Sequence, residues 1–106
     1  MAFRSKYKAV KTEVDGITFD SKLEAARYME LVLLERAGEI SRLELQPSFE
    51  CIIDGKKICT YKADFRYFTA KECVDEDVKG VKTPVYRLKK KLVEALYRGV
   101  KIQEIY

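Results

Sequence analysis

Two Asp-Gly dipeptides, Asp15-Gly16 and Asp54-Gly55, constrain the fold more than any other feature of the chain. Each lies between two short runs that are rich in strand-forming residues. Asp-Gly favours the left-handed backbone conformation that a tight two-residue hairpin turn requires. The sequence therefore predicts a β-hairpin at each of these two positions.

Two helices are predicted from capping signals and from the spacing of apolar residues. Ser21-Lys22-Leu23-Glu24 has the pattern of a capping box, and Gly38 is a typical helix stop. Thr83-Pro84 predicts the start of a second helix, which Gly99 ends. The apolar stripe expected on the first helix consists of Leu23, Ala26, Leu31 and Leu34. The stripe expected on the second consists of Val85, Leu88, Leu92, Ala95 and Leu96.

The remaining apolar runs predict strands. Leu43–Ile53 alternates apolar and polar residues but is interrupted by Pro47, which predicts a bend or an edge position. Further strands are expected over Ile58–Phe68, Cys73–Lys79 and Val100–Ile105. The predicted order is hairpin-α-β-β-β-α-β. This order indicates one α/β domain over residues 1–106, with a mixed β-sheet flanked by two helices.

The residue types exclude several classes of chemistry. The chain has no histidine, so histidine-based catalysis and the usual zinc sites are excluded within it. Its three cysteines, Cys51, Cys59 and Cys73, include no CxxC pair and lie in strand-like segments, where they are expected to act as small apolar residues. Proton transfer must therefore involve carboxylate, lysine, tyrosine or metal-bound water.

Charge is unevenly distributed along the chain. The net charge is +4, with a basic N-terminal arm over residues 1–11, an acidic middle, and a basic stretch over residues 82–101. Basic flanks suit phosphate binding, although solvated lysines on helices give the same pattern. We find no apolar run of the roughly 18 residues that a membrane span requires, and no signal peptide in the basic arm. A cytoplasmic protein is expected.

An acidic and lysine constellation spans two predicted strands. Positions i and i+2 of a strand share a face and lie about 6.5–7 Å apart, so Asp77 and Lys79 should project together. If the strand that carries Asp64 is adjacent, Asp64 meets Asp77. Asp75 would then lie on the same face as Asp77, as a spare acid at the edge of the site or a solvated one, and Glu76 on the other face.

Such a constellation suits phosphodiester hydrolysis. Carboxylates held close together repel unless a cation or a proton lies between them. Mg²⁺ prefers carboxylate oxygens, activates water and stabilises charge on a phosphate. A neighbouring lysine can orient the water or stabilise the transition state. Glu24, one turn into the first helix, could reach the metal, although the capping box alone explains a glutamate there.

Four segments of the chain together resemble a known nuclease superfamily. They are Phe19–Glu24, Leu45-Gln46-Pro47, Tyr61–Phe65 and Glu76–Gly80. Over about residues 6–105 the chain resembles short phage and prophage proteins of the PD-(D/E)xK superfamily. More distantly it is similar to phage endonuclease I, a Holliday junction resolvase, and to transposon end-cleaving endonucleases. Where the motif usually has proline before its first aspartate, this chain has Ala63.

The resemblance implies a restriction-endonuclease-like core and a Mg²⁺-dependent DNA endonuclease, with Mn²⁺ as a substitute. It implies metal binding by Glu24, Asp64 and Asp77, catalysis by Lys79, and a supporting position near the site for Gln46. Branched DNA such as a Holliday junction is the expected substrate, a homodimer the expected assembly, and the cytoplasm of a bacterial host the expected location. The candidate phosphate contacts are Lys22, Arg27, Lys82, Lys89, Lys90, Lys91 and the arm from Arg4 to Lys11.

Two other interpretations remain open from the sequence. The chain could be a non-catalytic DNA-binding or partner-binding protein built on the nuclease fold. Alternatively, its acids and lysines could form a surface salt-bridge network on an ordinary α/β domain. A pure binder should tolerate loss of Lys79, and a salt-bridge network should gain no stability from a divalent cation.

Overall fold

The computed structural model describes residues 10–79 and 81–106, so most of the basic arm predicted over residues 1–11 lies outside the described residues. Eight strands and two helices follow one another in this part of the chain. They are β1 (Thr12–Val14), β2 (Ile17–Phe19), α1 (Lys22–Arg36), β3 (Ser41–Leu45), β4 (Ser48–Ile53), β5 (Lys56–Lys62), β6 (Phe65–Phe68), β7 (Cys73–Val78), α2 (Pro84–Leu96) and β8 (Ile102–Ile105).

Both Asp-Gly turns are confirmed as hairpins. β1 pairs with β2, and β4 pairs with β5, each in an antiparallel ladder. Asp15 and Gly16 have φ angles of 54° and 75°, and Asp54 and Gly55 have 50° and 76°. Positive φ at both central residues is the geometry of a type I′ turn, which matches the right-handed twist of paired strands.

Each of two long strands predicted from the sequence is divided by a bend. The run Leu43–Ile53 divides at Pro47 into β3 and β4, which belong to different sheets. The run Ile58–Phe68 divides at Ala63-Asp64 into β5 and β6, so the prediction of one continuous strand there is wrong. The pairing continues across the bend, because Gln46 donates its N–H to the carbonyl of Asp64 at 2.9 Å and Ala63 donates to that of Pro47 at 3.0 Å.

The main sheet has four strands in the order β3-β6-β7-β8. β6 is antiparallel to both β3 and β7, and β8 is parallel to β7, so the sheet is mixed as predicted. One core cluster joins α1 to the β2, β6 and β7 side chains and includes Phe19, Leu31 and Phe65. A second joins α2 to β4, β5 and β8 and includes Tyr61 and Val93. The two helices therefore cover different parts of the sheets, as predicted.

The helix starts are confirmed, but the predicted apolar stripes are wrong. The Ser21 and Thr83 hydroxyls each accept an N–H three residues later, at 3.1 Å. On α1, Leu23 is 40% exposed and Leu31 is buried. The spacing misleads because apolar side chains surround this helix. On α2, Val85 and Leu88 are 62% and 59% exposed. This helix is turned so that the Tyr86 hydroxyl reaches Glu104 at 2.8 Å.

The environments of the three cysteines can be compared with the apolar role that the sequence predicts for them. All three cysteines lie in strands; Cys51 is buried, Cys59 is half-buried and Cys73 is exposed. Cys51 thus acts as a small core residue as expected, whereas Cys73 does not.

Across residues 10–79 and 81–106, neither helix has the length and apolar character needed to cross a membrane.

Strand β7 buries three consecutive acids, Asp75, Glu76 and Asp77. Glu76 faces α1, where Arg27 donates to its two carboxylate oxygens at 2.8 and 2.5 Å. The Tyr67 hydroxyl donates to the same carboxylate. A fully buried carboxylate without such partners would be strongly destabilising. The pair therefore fixes α1 against the sheet.

We expect Arg27→Ala to lower the free energy of unfolding by roughly 3 kcal/mol, because it leaves the Glu76 carboxylate buried without its cation. The matched control is Arg36→Ala, at the exposed end of the same helix, which should change stability by less than about 0.5 kcal/mol. Urea denaturation measures both. Equal midpoints for the two variants would contradict the structural role assigned to Arg27.

Candidate active site

A cleft of about 430 Å³ opens where three parts of the fold meet. The start of α1 forms one wall, the start of α2 another, and the ends of β5 and β7 form the floor. Glu24, Asp64, Asp77 and Lys79 all line it. The four residues that the sequence singled out for catalysis are therefore brought together, although they come from well-separated parts of the chain.

Asp64 is positioned by the pairing of β6 with β7. Phe65 lies opposite Glu76 in this antiparallel ladder, so extending the register by one residue places Asp64 opposite Asp77. The Val78 N–H donates to Asp64 Oδ2 at 2.7 Å. The prediction that Asp64 and Asp77 meet on neighbouring strands is thus confirmed, with one difference: Asp64 lies in the bend that precedes β6 and not inside a strand.

Asp77 and Lys79 share a face, as the strand spacing predicted. The Lys79 Nζ lies 2.9 Å from Asp77 Oδ1 and 3.8 Å from the centroid of the Tyr86 ring. The hydroxyl of Tyr61 donates to Asp77 Oδ2. Burial, followed by the contact with Asp77, raises the pKa of Tyr61 above its ordinary value, so this tyrosine remains a hydrogen-bond donor. Lys79 is held in one place by an acid and an aromatic face.

The sequence predicts no role in the site for either Tyr61 or Tyr86. The available signal was the hydroxyl itself, because a buried tyrosine usually needs a hydrogen-bond partner and an acid-rich strand supplies one. Nothing in the local sequence shows which acid each tyrosine meets.

Two acids of the cleft have no cation beside them. Among the described residues, neither Asp64 nor Glu24 forms an ion pair. Burial raises the pKa of Asp64 to about 7, with further contributions from the charges of Asp77 and Glu24. Burial also raises the pKa of Glu24, followed by repulsion from Asp20 and Asp77. The cleft therefore favours the entry of a proton or a cation.

The donor set consists of carboxylate oxygens, which suit a hard cation such as Mg²⁺. Within residues 10–79 and 81–106, no three acid, cysteine or histidine side chains already converge closely enough to hold a metal ion. Lys79 and Tyr61 instead occupy the two carboxylate oxygens of Asp77. Each oxygen of this carboxylate keeps a second lone pair, so Asp77 can hold a cation alongside these contacts.

The contacts of Asp75 and Glu76 show to which side of the sheet each acid of β7 points. Asp75 faces Arg66, whose Nε lies 2.7 Å from Asp75 Oδ1, while Glu76 faces Arg27 on the other side. The prediction that Asp75 and Asp77 point to the same side, away from Glu76, is confirmed. Asp75 is nonetheless buried and paired, so the suggestion that it is solvated is wrong.

A family model described as "Protein of unknown function (DUF1064)" matches residues 4–106. The chain belongs to the DUF1064 family. No curated protein and no solved structure matches it. The geometry of the cleft is therefore the main source of evidence for what this DUF1064 chain does.

The predicted phosphate contacts of the DUF1064 chain take up different positions. Lys89 lines the cleft, while Lys22 and Lys91 are exposed outside it. Lys82 and Lys90 lie 2.9 and 3.4 Å from the Glu104 carboxylate, and with Lys91 they line a separate cavity of about 470 Å³.

Arg27 has a structural partner: its guanidinium is bound to the buried carboxylate of Glu76 and also lies 3.6 Å from Glu30. A phosphate contact of Arg27 stays a prediction. The spacing along α1 could not reveal this role, because the partner lies on a strand much later in the chain.

Gln46 lies next to the site, as the resemblance implied. Its N–H donates to the backbone carbonyl of Asp64, and its φ is 52°. It lines a smaller cavity of about 220 Å³, which shares Glu24 and Asp64 with the main cleft. The carboxylates thus lie between two adjoining cavities.

The raised pKa of Asp64 predicts how the stability of the DUF1064 chain depends on pH. An unfolded aspartate titrates near pH 3.9, and the folded one near pH 7. Between these values the folded state holds a proton that the unfolded state lacks, so the free energy of unfolding falls as pH rises.

Asp64→Asn removes this dependence. In EDTA, we expect the melting temperature of the variant, relative to wild type, to rise from pH 4 to pH 8 by several degrees. The value at pH 4, where the wild-type carboxyl is protonated in the folded state, is the internal reference. A difference that stays flat over this range would contradict the assigned burial of the charge.

Proposed function

We propose that the chain is a Mg²⁺-dependent endonuclease that hydrolyses phosphodiester bonds in DNA, built on a restriction-endonuclease-like fold of the PD-(D/E)xK type. The observation that carries the proposal is the convergence of Glu24, Asp64, Asp77 and Lys79 in one open cleft. The four come from α1, the bend before β6, and the end of β7, so their meeting does not follow from local sequence.

The pattern of ion pairing separates this proposal from a purely structural salt-bridge network. In such a network each acid has a partner, as Asp75 and Glu76 do with Arg66 and Arg27. Asp64 and Glu24 have no ion-pair partner in the described part of the chain. When bound, Mg²⁺ would stabilise the negative charge that develops on a phosphate, and Mn²⁺ accepts the same oxygen ligands.

Lys79 supplies a fixed positive charge at the same place. Its side chain is 20% exposed, which leaves it accessible from the cleft, and Asp77 and the Tyr86 ring hold its ammonium group. A preorganised ammonium group can orient the attacking water or stabilise charge on the phosphate without rearranging. Because the chain has no histidine, the groups that remain for proton transfer in this reaction are carboxylate, lysine, tyrosine and metal-bound water.

The surroundings of the cleft suit a nucleic acid backbone. Lys62 and Lys89 line the cleft itself. A second cavity is lined by four basic residues, Lys82, Arg87, Lys90 and Lys91, together with Glu94 and Glu104. Contacts of this kind position a phosphate backbone without reading its sequence. We therefore propose selection of DNA by structure, with branched DNA such as a Holliday junction as substrate.

Cleavage of a labelled four-way junction and of the matching linear duplex tests the proposal. We expect cutting in Mg²⁺ or Mn²⁺, none in EDTA, and faster cutting of the junction. Asp64→Asn and Lys79→Ala should each reduce the rate by about 100-fold or more, because each removes charge stabilisation at the reacting phosphate. Lys71→Ala, an exposed lysine in the turn between β6 and β7, is the matched control and should remain active.

Other outcomes would point elsewhere. Equal rates on both DNAs would keep the hydrolysis but remove the preference for branched DNA. Tight binding without any cutting, unchanged in Lys79→Ala and independent of metal, would support a non-catalytic DNA-binding protein instead.

We further propose that the enzyme acts as a homodimer, because two active centres can cut two strands within a single binding event. Val85 and Leu88 are exposed on one side of α2, and Val85 also lines the cleft. An exposed apolar stripe of this kind is typical of a protein interface.

Leu88→Lys should convert the dimer to a monomer, because the interface would then bury an unpaired charge. Leu33→Lys is the matched control: Leu33 is 63% exposed on α1, and this variant should remain dimeric. Light scattering coupled to size-exclusion chromatography measures both. A monomeric wild-type protein, or a dimer lost only in Leu33→Lys, would contradict the α2 interface.

A further inference from the structure

The smaller cavity beside the active site has a different character from the cleft. Its volume is about 220 Å³, and its walls include the apolar side chains of Ile17, Phe19 and Leu45. Glu24 and Asp64 form the boundary between the two cavities, since they line both. A group that enters the smaller cavity therefore lies directly beside the proposed reaction centre.

Gln46 contributes the amide of this cavity. Gln46 is exposed, and no described residue hydrogen-bonds to its side chain, so its amide donors and acceptor face solvent and are accessible to a ligand. Its backbone adopts the left-handed conformation, with φ at 52°, which is unfavourable for a side chain with a Cβ atom. Gln46 is held in this conformation by its backbone hydrogen bond to Asp64 and by the neighbouring Pro47, which is buried and accepts the N–H of Ala63. Strained positions of this kind cluster at functional sites.

The chemistry of the cavity defines a class of ligand. A flat ring that presents donors and acceptors at its edge suits apolar walls with one amide, and the cavity has space for a single ring system. Enzymes that hold an unstacked nucleobase use this combination of apolar packing and edge hydrogen bonds. Glutamine is suited to the edge of a base because it can donate and accept at once.

We propose that this cavity binds the nucleobase of the nucleotide next to the scissile phosphate, with the Gln46 amide on the edge of the base and Leu45 and Ile17 against its faces. The proposal rests on the proposed function. It also gives a physical basis for selecting branched DNA. Extracting a base costs less where pairing or stacking is interrupted, as at a branch point whose arms are not coaxially stacked, than within a continuous duplex.

A binding measurement tests the cavity without requiring catalysis. A four-way junction carries 2-aminopurine at a branch-point nucleotide and is bound in EDTA by wild type, Gln46→Ala or Thr18→Trp. Thr18 lines the cavity, so a tryptophan there would obstruct it. We expect fluorescence to rise with wild type, because the base leaves the stack. Thr18→Trp should bind the junction with no such rise, and Gln46→Ala with a smaller one.

A cleavage measurement tests the same contact at the reaction. Once the cut position is mapped, an abasic analogue replaces the nucleotide on each side of it in turn. At one of the two positions we expect kcat/KM to fall by about 10- to 100-fold, the range found for losing a stacked base. Gln46→Ala should slow cutting of the intact junction by about 10-fold and have no further effect on that abasic substrate.

Gln46→Gly separates function from stability. Glycine adopts positive φ without strain, so this variant should melt at an equal or higher temperature than wild type. We nevertheless expect it to lose as much activity as Gln46→Ala. Such a result cannot arise from unfolding.

The outcomes distinguish the two proposals. A fluorescence rise that Thr18→Trp abolishes, with no cutting in any metal, would support the base cavity and overturn the nuclease. Normal cutting of both abasic substrates, or no fluorescence rise with wild type, would overturn the base cavity and leave the nuclease intact.

Discussion

The structure depends on the burial of three consecutive carboxylates in the central strand β7. Side chains alternate along a strand, so Glu76 is directed to α1 while Asp75 and Asp77 are directed to the opposite side. Each acid needs its own partner, because an unpaired charge in the interior is strongly destabilising. Glu76 pairs with Arg27, and Asp75 pairs with Arg66. Asp77 contacts Lys79 and Tyr61. These contacts fix the positions of α1 and β5 relative to β7.

Much of the fold and of the candidate site could be predicted from the sequence, because local signals specify it. The Asp-Gly turns and the Ser21 and Thr83 caps depend on residues within one turn of each other. The common face of Asp77 and Lys79, two residues of the candidate site, could be predicted because their i, i+2 spacing in a strand fixes it. Finding Asp64 opposite Asp77 required only that two strands close in sequence be adjacent in the sheet.

The rest depends on contacts between distant residues. Apolar side chains surround α1, so their spacing alone does not select the buried side, on which Ala25 and Leu31 are buried and Arg27 pairs with Glu76. On α2 the buried side carries Val93 and Tyr86, whose hydroxyl contacts Glu104. Pro47 marks the bend between β3 and β4, but nothing in the alternation of Ile58–Phe68 marks the matching bend at Ala63-Asp64. No local pattern distinguishes that second bend from a continuous strand.

The alternating acids of β7 also bear on how the chain reaches its native register. A slip of one residue would turn Glu76 toward the cleft and bring Asp75 and Asp77 against α1, so that three buried charges would lose their partners together. An apolar strand could slip by one residue without leaving buried charges unpaired, but β7 could not. Its acids therefore exclude such misregistered pairings. Because Arg27 and Glu76 are 49 residues apart, the correct pairing closes a long loop. We expect the docking of β7 to occur late and to limit the rate of folding, in exchange for a single register.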